Sequence, residues 1–92
     1  MAFNTTVWTY VLTNASLYIN ETDNVLSLSV ICTTGTVTVN GSGRFQGIQT
    51  GAITLSAGQG FTVSAKNIQS PITGITITAS VGNAAEILLS KN

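Results

Sequence analysis

Charged side chains are scarce in this sequence. Three Lys or Arg and three Asp or Glu among 92 residues make 7% of the chain, whereas an average soluble domain has about 25%. The formal net charge is zero, so the sequence offers no basic patch for nucleic acid, and we expect no nucleic-acid partner. A net charge near zero also leaves little repulsion between copies, which favours self-association.

Histidine is absent, and its absence excludes the common catalytic classes. Serine–histidine and cysteine–histidine catalysis need an imidazole base, and the usual zinc sites need several Cys or His ligands, whereas this chain has one Cys. The acids Glu21, Asp23 and Glu86 suit neither a glycosidase pair nor the spacing of an EF-hand loop. We expect no enzyme activity, no metal and no cofactor.

Export and membrane signals are also missing from the pattern. The N-terminal residues carry no positive charge, and no apolar run approaches about 18 residues. The sequence therefore predicts a chain that assembles in the cytoplasm and has no membrane partner. Cys32 lies among apolar residues, so we expect a buried thiol, with an intermolecular disulfide as the alternative.

Thr, Ser, Val and Ile are abundant instead. The 15 threonines and 9 serines alternate with apolar residues at period 2, in short runs separated by Gly, Asn and Ser. About eight short strands predict a single all-β domain, residues 1–92, as an antiparallel β-sandwich of jelly-roll type. The residues predicted to face inward are Leu26, Leu28, Val30, Val37, Val39, Ile53, Leu55, Phe61, Val63, Ile75, Ile77, Ile87 and Leu89.

Asparagine and glycine mark the predicted turns. Asn14 interrupts the first strand, and residues 15–19 then return as a hairpin partner, so residues 1–24 form a candidate N-terminal arm or hairpin. Asn40-Gly41 has the residues of a tight hairpin turn. Residues 80–83 are predicted to form another turn.

Aromatic residues concentrate near the N-terminus. Alternation places Trp8 and Tyr10 on one face of the first strand and Val7 and Val11 on the other, so that strand is apolar on both faces. Aromatic residues often dominate interface energy. We therefore predict a subunit or partner interface, although a place in the core is the alternative. The predicted interface residues are Phe3, Trp8, Tyr10 and Tyr18.

Three stretches carry a family resemblance: residues 36–43 (TVTVNGSG), 53–63 (ITLSAGQGFTV) and 72–77 (ITGITI). Through them, residues 25–89 resemble the small β-sandwich structural proteins of tailed-bacteriophage virions, meaning head-decoration, head-fibre and tail modules. The resemblance implies a non-catalytic virion subunit, assembled in the host cytoplasm with other virion structural proteins. It also implies a homo-oligomer, most often a trimer.

A glycan-binding β-sandwich module, in which Trp8 or Tyr10 stacks on a sugar ring, is the alternative function.

Overall fold

The computed structural model describes residues 5–43, 46–47 and 51–91. These residues form six strands and one short 3₁₀ helix, and every strand pair is antiparallel, which confirms the predicted all-β antiparallel class. The strands are β1 (Thr6–Ile19), β2 (Val25–Thr34), β3 (Thr36–Gly41), β4 (Ile53–Ser56), β5 (Gly60–Ser64) and β6 (Ile75–Lys91).

Two predicted turns lie inside continuous strands, on the two sides of one register shift, and this difference reduces the predicted eight strands to six. Asn14, with a φ of 50°, lies at a register shift in the pairing of β1 with β6. Residues 80–83 lie opposite it, inside β6. A bulge leaves the strand paired to the same neighbour on both sides of the extra residues. The predicted N-terminal hairpin is therefore wrong, because residues 6–19 form one strand.

β6 lies in the middle of the sheet. One of its edges pairs with β1 along both halves of its length, and the other pairs first with β3 and then with β2. β4 extends the sheet beyond β3, and β5 extends it beyond β2, so the order is β4-β3-β6-β2-β5, with β1 on the far side of β6. β1 is thus an edge strand.

The sheet is strongly curled, as the short connection from β1 to β2 requires. Ile19 at the end of β1 pairs with Ile75, whereas Val25 at the start of β2 pairs with Lys91. The 17 residues of β6 would extend about 55 Å if straight. The six residue steps from Ile19 to Val25 can span at most about 21 Å, so the two ends of β6 must approach each other.

The strands bend along a common bend line, consisting of Asn14, Gly35, Gly58 and residues 80–83. Asn83 connects three strands there: its backbone oxygen accepts a 2.8 Å hydrogen bond from the Thr13 hydroxyl, and its side-chain oxygen accepts a 3.0 Å bond from the Thr36 N–H. The Gly58 N–H donates to the Cys32 carbonyl at 2.8 Å, which brings the β4–β5 turn onto the same line.

At the opposite end, the segment that precedes β6 joins the two halves of the curled sheet. The Ile72 N–H donates to the Val25 carbonyl at 2.9 Å, and the Gly74 N–H donates to the Ile19 carbonyl at 2.8 Å. The loop between β1 and β2 is held by a capping box, in which Asn20 and Asp23 each accept a backbone hydrogen bond at the helix Glu21–Asp23.

The core lies on the concave side of the sheet. Of the residues predicted to face inward, eight are buried and Phe61, Val63 and Ile75 pack against them. Ile53 is 66% exposed, so its prediction was wrong, because it begins the edge strand β4 and no strand of the described residues lies beyond it. Leu26 is only partly buried, since a register shift after Val25 buries Val25 instead. The buried core comprises Ile19, Val25, Leu28, Val30, Cys32, Val37, Val39, Leu55, Ile72, Ile77, Ala79, Ala85, Ile87 and Leu89.

The dipeptide Asn40-Gly41 is also not the predicted turn. Both residues belong to β3, where they pair with Thr76 and Ile75. The residues that permit a hairpin turn thus extend a strand here, because β6 supplies a partner for them.

Candidate interaction surface

β1 presents a long unpaired edge. Its 14 residues pair only with β6 within the described part of the chain, so alternate backbone N–H and C=O groups on its other side have no strand partner. The strand contains no charged residue and no proline. Lysine and proline on edge strands are two of the usual features that prevent pairing with another chain, and β1 has neither.

Trp8 and Tyr10 lie on the concave face of β1 and are only half-covered. They stand opposite the buried residues Leu89 and Ile87, and yet they are 43% and 46% exposed. Their exposure follows from the edge position, because no strand in the described part of the chain lies beyond β1 to cover them. The Lys91 ammonium lies 5.6 Å from the centroid of the Trp8 ring, a cation–π arrangement.

The convex face carries an apolar surface, here called the outer patch and defined as Val7, Val11, Ile31 and Leu88. All four side chains are exposed. They come from three neighbouring strands, because Val11 pairs with Glu86, which pairs in turn with Ile31. Val11, Ile31 and Leu88 line an open depression of about 470 Å³, and Glu86 is the single charged residue of its lining among the described residues.

The predicted interface residues are brought together only in part. Tyr18 is exposed and stands opposite Thr76 in the other half of β1, beyond the bend line. It lines a smaller hollow of about 110 Å³ together with Tyr10 and Lys91. Phe3 lies outside the described residues.

Sequence reasoning did not assign Ile31 and Leu88 to an exposed surface. The run Ile87-Leu88-Leu89 contains a signal for it, since three consecutive apolar residues in a strand place one of them on the outer face. Ile31 gives the same signal between Val30 and Cys32, both of which are buried.

The described residues show no group of three or more His, Cys, Asp and Glu side chains placed to hold a metal ion. Asp23 accepts a 2.9 Å hydrogen bond from the Asn20 N–H, so its carboxylate serves the capping box. Cys32 is a buried free thiol, as predicted, and its Sγ lies 3.4 Å from the Gly35 carbonyl oxygen.

No helix in the described ranges has the length and apolar character needed to cross a membrane. Comparison with models of protein families, with curated proteins and with solved structures finds no match to the chain.

Proposed function

We propose that this chain is a non-catalytic structural subunit that assembles with copies of itself and with other structural proteins, in a virion or a similar particle. The observation that carries the proposal is β1: a 14-residue, uncharged edge strand with exposed aromatic side chains. A soluble monomer would leave both this edge and the adjoining outer patch in water. Large exposed apolar surfaces on soluble proteins commonly mark interaction sites.

Charge supports the same proposal. The outer patch and β1 themselves contain no charged residue. Glu86 lines the depression beside the outer patch, and Asp23 and Lys91 line the hollow beside Tyr10 and Tyr18. A surface of this composition suits protein contacts better than nucleic acid or anionic lipid, both of which bind clusters of Lys and Arg. We therefore propose protein partners, with a homotrimer as the oligomer that the family resemblance implies.

For the fold, we propose the finer description of a jelly-roll-like β-sandwich. The bend line divides the sheet into two parts, one holding β3 and β4 and the other β2 and β5, and β1 and β6 contribute to both. Buried residues of both parts belong to one core cluster. The molecule is 19 Å thick in its shortest direction, which suits two sheets packed about 10 Å apart.

Light scattering coupled to size exclusion tests the assembly. We expect a mass that is a multiple of the 9.5 kDa chain at micromolar concentration, with three copies for the trimer. A monomer mass would overturn the proposal. Mass spectrometry of virions purified from the source of this sequence tests the virion assignment. Virions that contain no peptides of this chain would contradict it.

Glycan binding is the second candidate, because Trp8 and Tyr10 are exposed side by side on one face of the strand. Trp8 is the single tryptophan, so its fluorescence reports directly on a sugar stacked against its ring. A saturable change in Trp8 emission on titration with a glycan panel would favour this candidate. No change across the panel would exclude Trp8 as a sugar platform.

A further inference from the structure

The sequence around Thr9 reads almost the same in both directions. Val7-Trp8-Thr9-Tyr10-Val11 is a valine, an aromatic residue and a threonine, followed by an aromatic residue and a valine. In an antiparallel pair of identical strands, residue numbers directly opposite each other add to a constant. A strand of this symmetry can therefore lie beside a second copy of itself with like residues opposite like.

We infer that two copies of the chain join their β1 strands side by side and antiparallel, with Thr9 of each copy at the two-fold axis. This inference rests on the proposed function, because it names the surface through which copies assemble. In this register Val7 stands opposite Val11 of the second copy, Trp8 opposite Tyr10, and Thr9 opposite Thr9. Such aromatic, aliphatic and Thr–Thr pairs are the cross-strand pairs that stabilise sheets.

Exposure in the single chain favours the same register. Val7 and Val11 are 59% and 71% exposed on the convex face, and Trp8 and Tyr10 are half-exposed on the concave face. The Thr9 register pairs all four of them with one another. A register centred on Tyr10 would instead place Val7 opposite Thr13 and Trp8 opposite Leu12, and would leave Val11 opposite Thr9.

The bulge at Asn14 ends the regular part of β1 close to the point at which pairing in the Thr9 register also ends. β1 begins at Thr6 and shifts register after Thr13. In the Thr9 register Thr6 stands opposite Leu12 of the second copy, so residues 6–12 pair completely before the bend. The regular part of the strand is thus centred near the same residue as the sequence symmetry.

A second copy of β1 pairs better with the β1 edge than with the opposite edge of the sheet. That edge consists of β4 and β5, with four and five residues, separated by a turn at Gly58. Short, interrupted strands are poor templates for pairing with another chain. Because β1 carries no charge, two copies meet without electrostatic repulsion. A two-fold contact of this kind gives a dimer, or joins two trimers where a separate three-fold contact also exists.

Cysteine cross-linking tests the contact and its register. Thr9→Cys places two thiols opposite each other at the axis, within the Cα separation of about 4.4–6.8 Å that a disulfide needs. Val7→Cys and Val11→Cys are the matched controls on the same face. In a dimer of one valine variant alone, the new thiols of the two copies lie about 14 Å apart along the strands. In a mixed dimer of the two variants, the new thiol at position 7 of one copy lies opposite the new thiol at position 11 of the other. Cys32 is buried and stays in every variant.

After mild oxidation, we expect disulfide dimers from Thr9→Cys and from the mixture, and none from either valine variant alone or from the native chain. Far-ultraviolet circular dichroism confirms that each variant keeps its sheet. Self-linking of Val11→Cys, or no cross-link from Thr9→Cys in a sample that light scattering shows to be oligomeric, would overturn this inference and leave the proposed function standing. Monomeric variants and a monomeric native chain would overturn both.

Discussion

The side-chain oxygen of Asn83 occupies the space in which a Cβ on Gly35 would lie. The same oxygen accepts the 3.0 Å hydrogen bond from the Thr36 N–H. Gly35 has a φ of +67°, a conformation that costs other L-residues free energy. The change of direction between β2 and β3 therefore depends on a residue without a side chain, at a position where Asn83 leaves no space for one.

Gly35→Ala is expected to destabilise the fold by about 2–4 kcal/mol, from the strained φ and from a collision with Asn83. Gly82→Ala is the matched control, because its φ of +86° is similar but, apart from its two chain neighbours, no described residue has an atom within 4 Å of the added Cβ. It should cost only about 1 kcal/mol. Urea denaturation of both variants measures the difference, and equal losses would show that Asn83 does not crowd Gly35.

Burial predicts a second contrast, between two aliphatic residues that sequence analysis placed in one core. Leu28 is fully buried and Ile53 is exposed. Leu28→Ala should lower the free energy of unfolding by about 2–5 kcal/mol, whereas Ile53→Ala should lower it by no more than about 0.5 kcal/mol. Denaturation midpoints measure both. A loss at Ile53 as large as that at Leu28 would contradict the exposed position of the Ile53 side chain.

Period-2 alternation was enough to predict the fold class and most of the core. Val37, Val39, Ile77 and Ile87 are buried as expected, because a strand with one buried face shows its register in its sequence. The alternation could not distinguish a turn from a bulge. Asn14 takes positive φ in either case, and only a distant strand, β6, determines whether the chain reverses there or continues.

The candidate surface was predictable in part for the same reason. The face on which Trp8 and Tyr10 lie follows from alternation, and the pairing with Leu89 and Ile87 agrees with it. Their exposure does not follow, because it depends on β1 being an edge strand. That position results from pairing between the two ends of the sequence, which local patterns do not encode.

Trp8→Ala is expected to weaken assembly by about 2 kcal/mol or more, on the order of an interface hot spot, and to leave the β-type circular dichroism spectrum largely unchanged. Ile68→Ala is the control, since Ile68 is exposed to a similar extent outside the strands. Sedimentation equilibrium measures the association constants. Unfolding of the Trp8 variant, or unchanged association, would remove Trp8 from the interface.

Val11→Lys should abolish association through β1 without unfolding the subunit, because a lysine on an edge strand opposes pairing with another chain. Val81→Lys is closely matched, since Val81 is 78% exposed, against 71% for Val11, but lies at the bend line. We expect light scattering to show a halved particle mass for Val11→Lys only, because breaking a two-fold contact separates each assembly into two equal parts. The same loss of mass in both variants would mean that added charge acts without regard to position.

The pairing of β1 with β6 also governs how the fold forms. Thr6 pairs with Lys91 and Ile19 with Ile75. Within the described ranges β6 is the one strand that pairs with β1, and it is synthesised several seconds after β1 at about 5–20 residues per second. β2 and β3 likewise need β6 to join them into one sheet. Such non-local pairing is typical of proteins that fold in milliseconds to seconds rather than microseconds. The sheet can therefore form only after β6 has been synthesised. Until then, both edges of the uncharged strand β1 can pair with other chains.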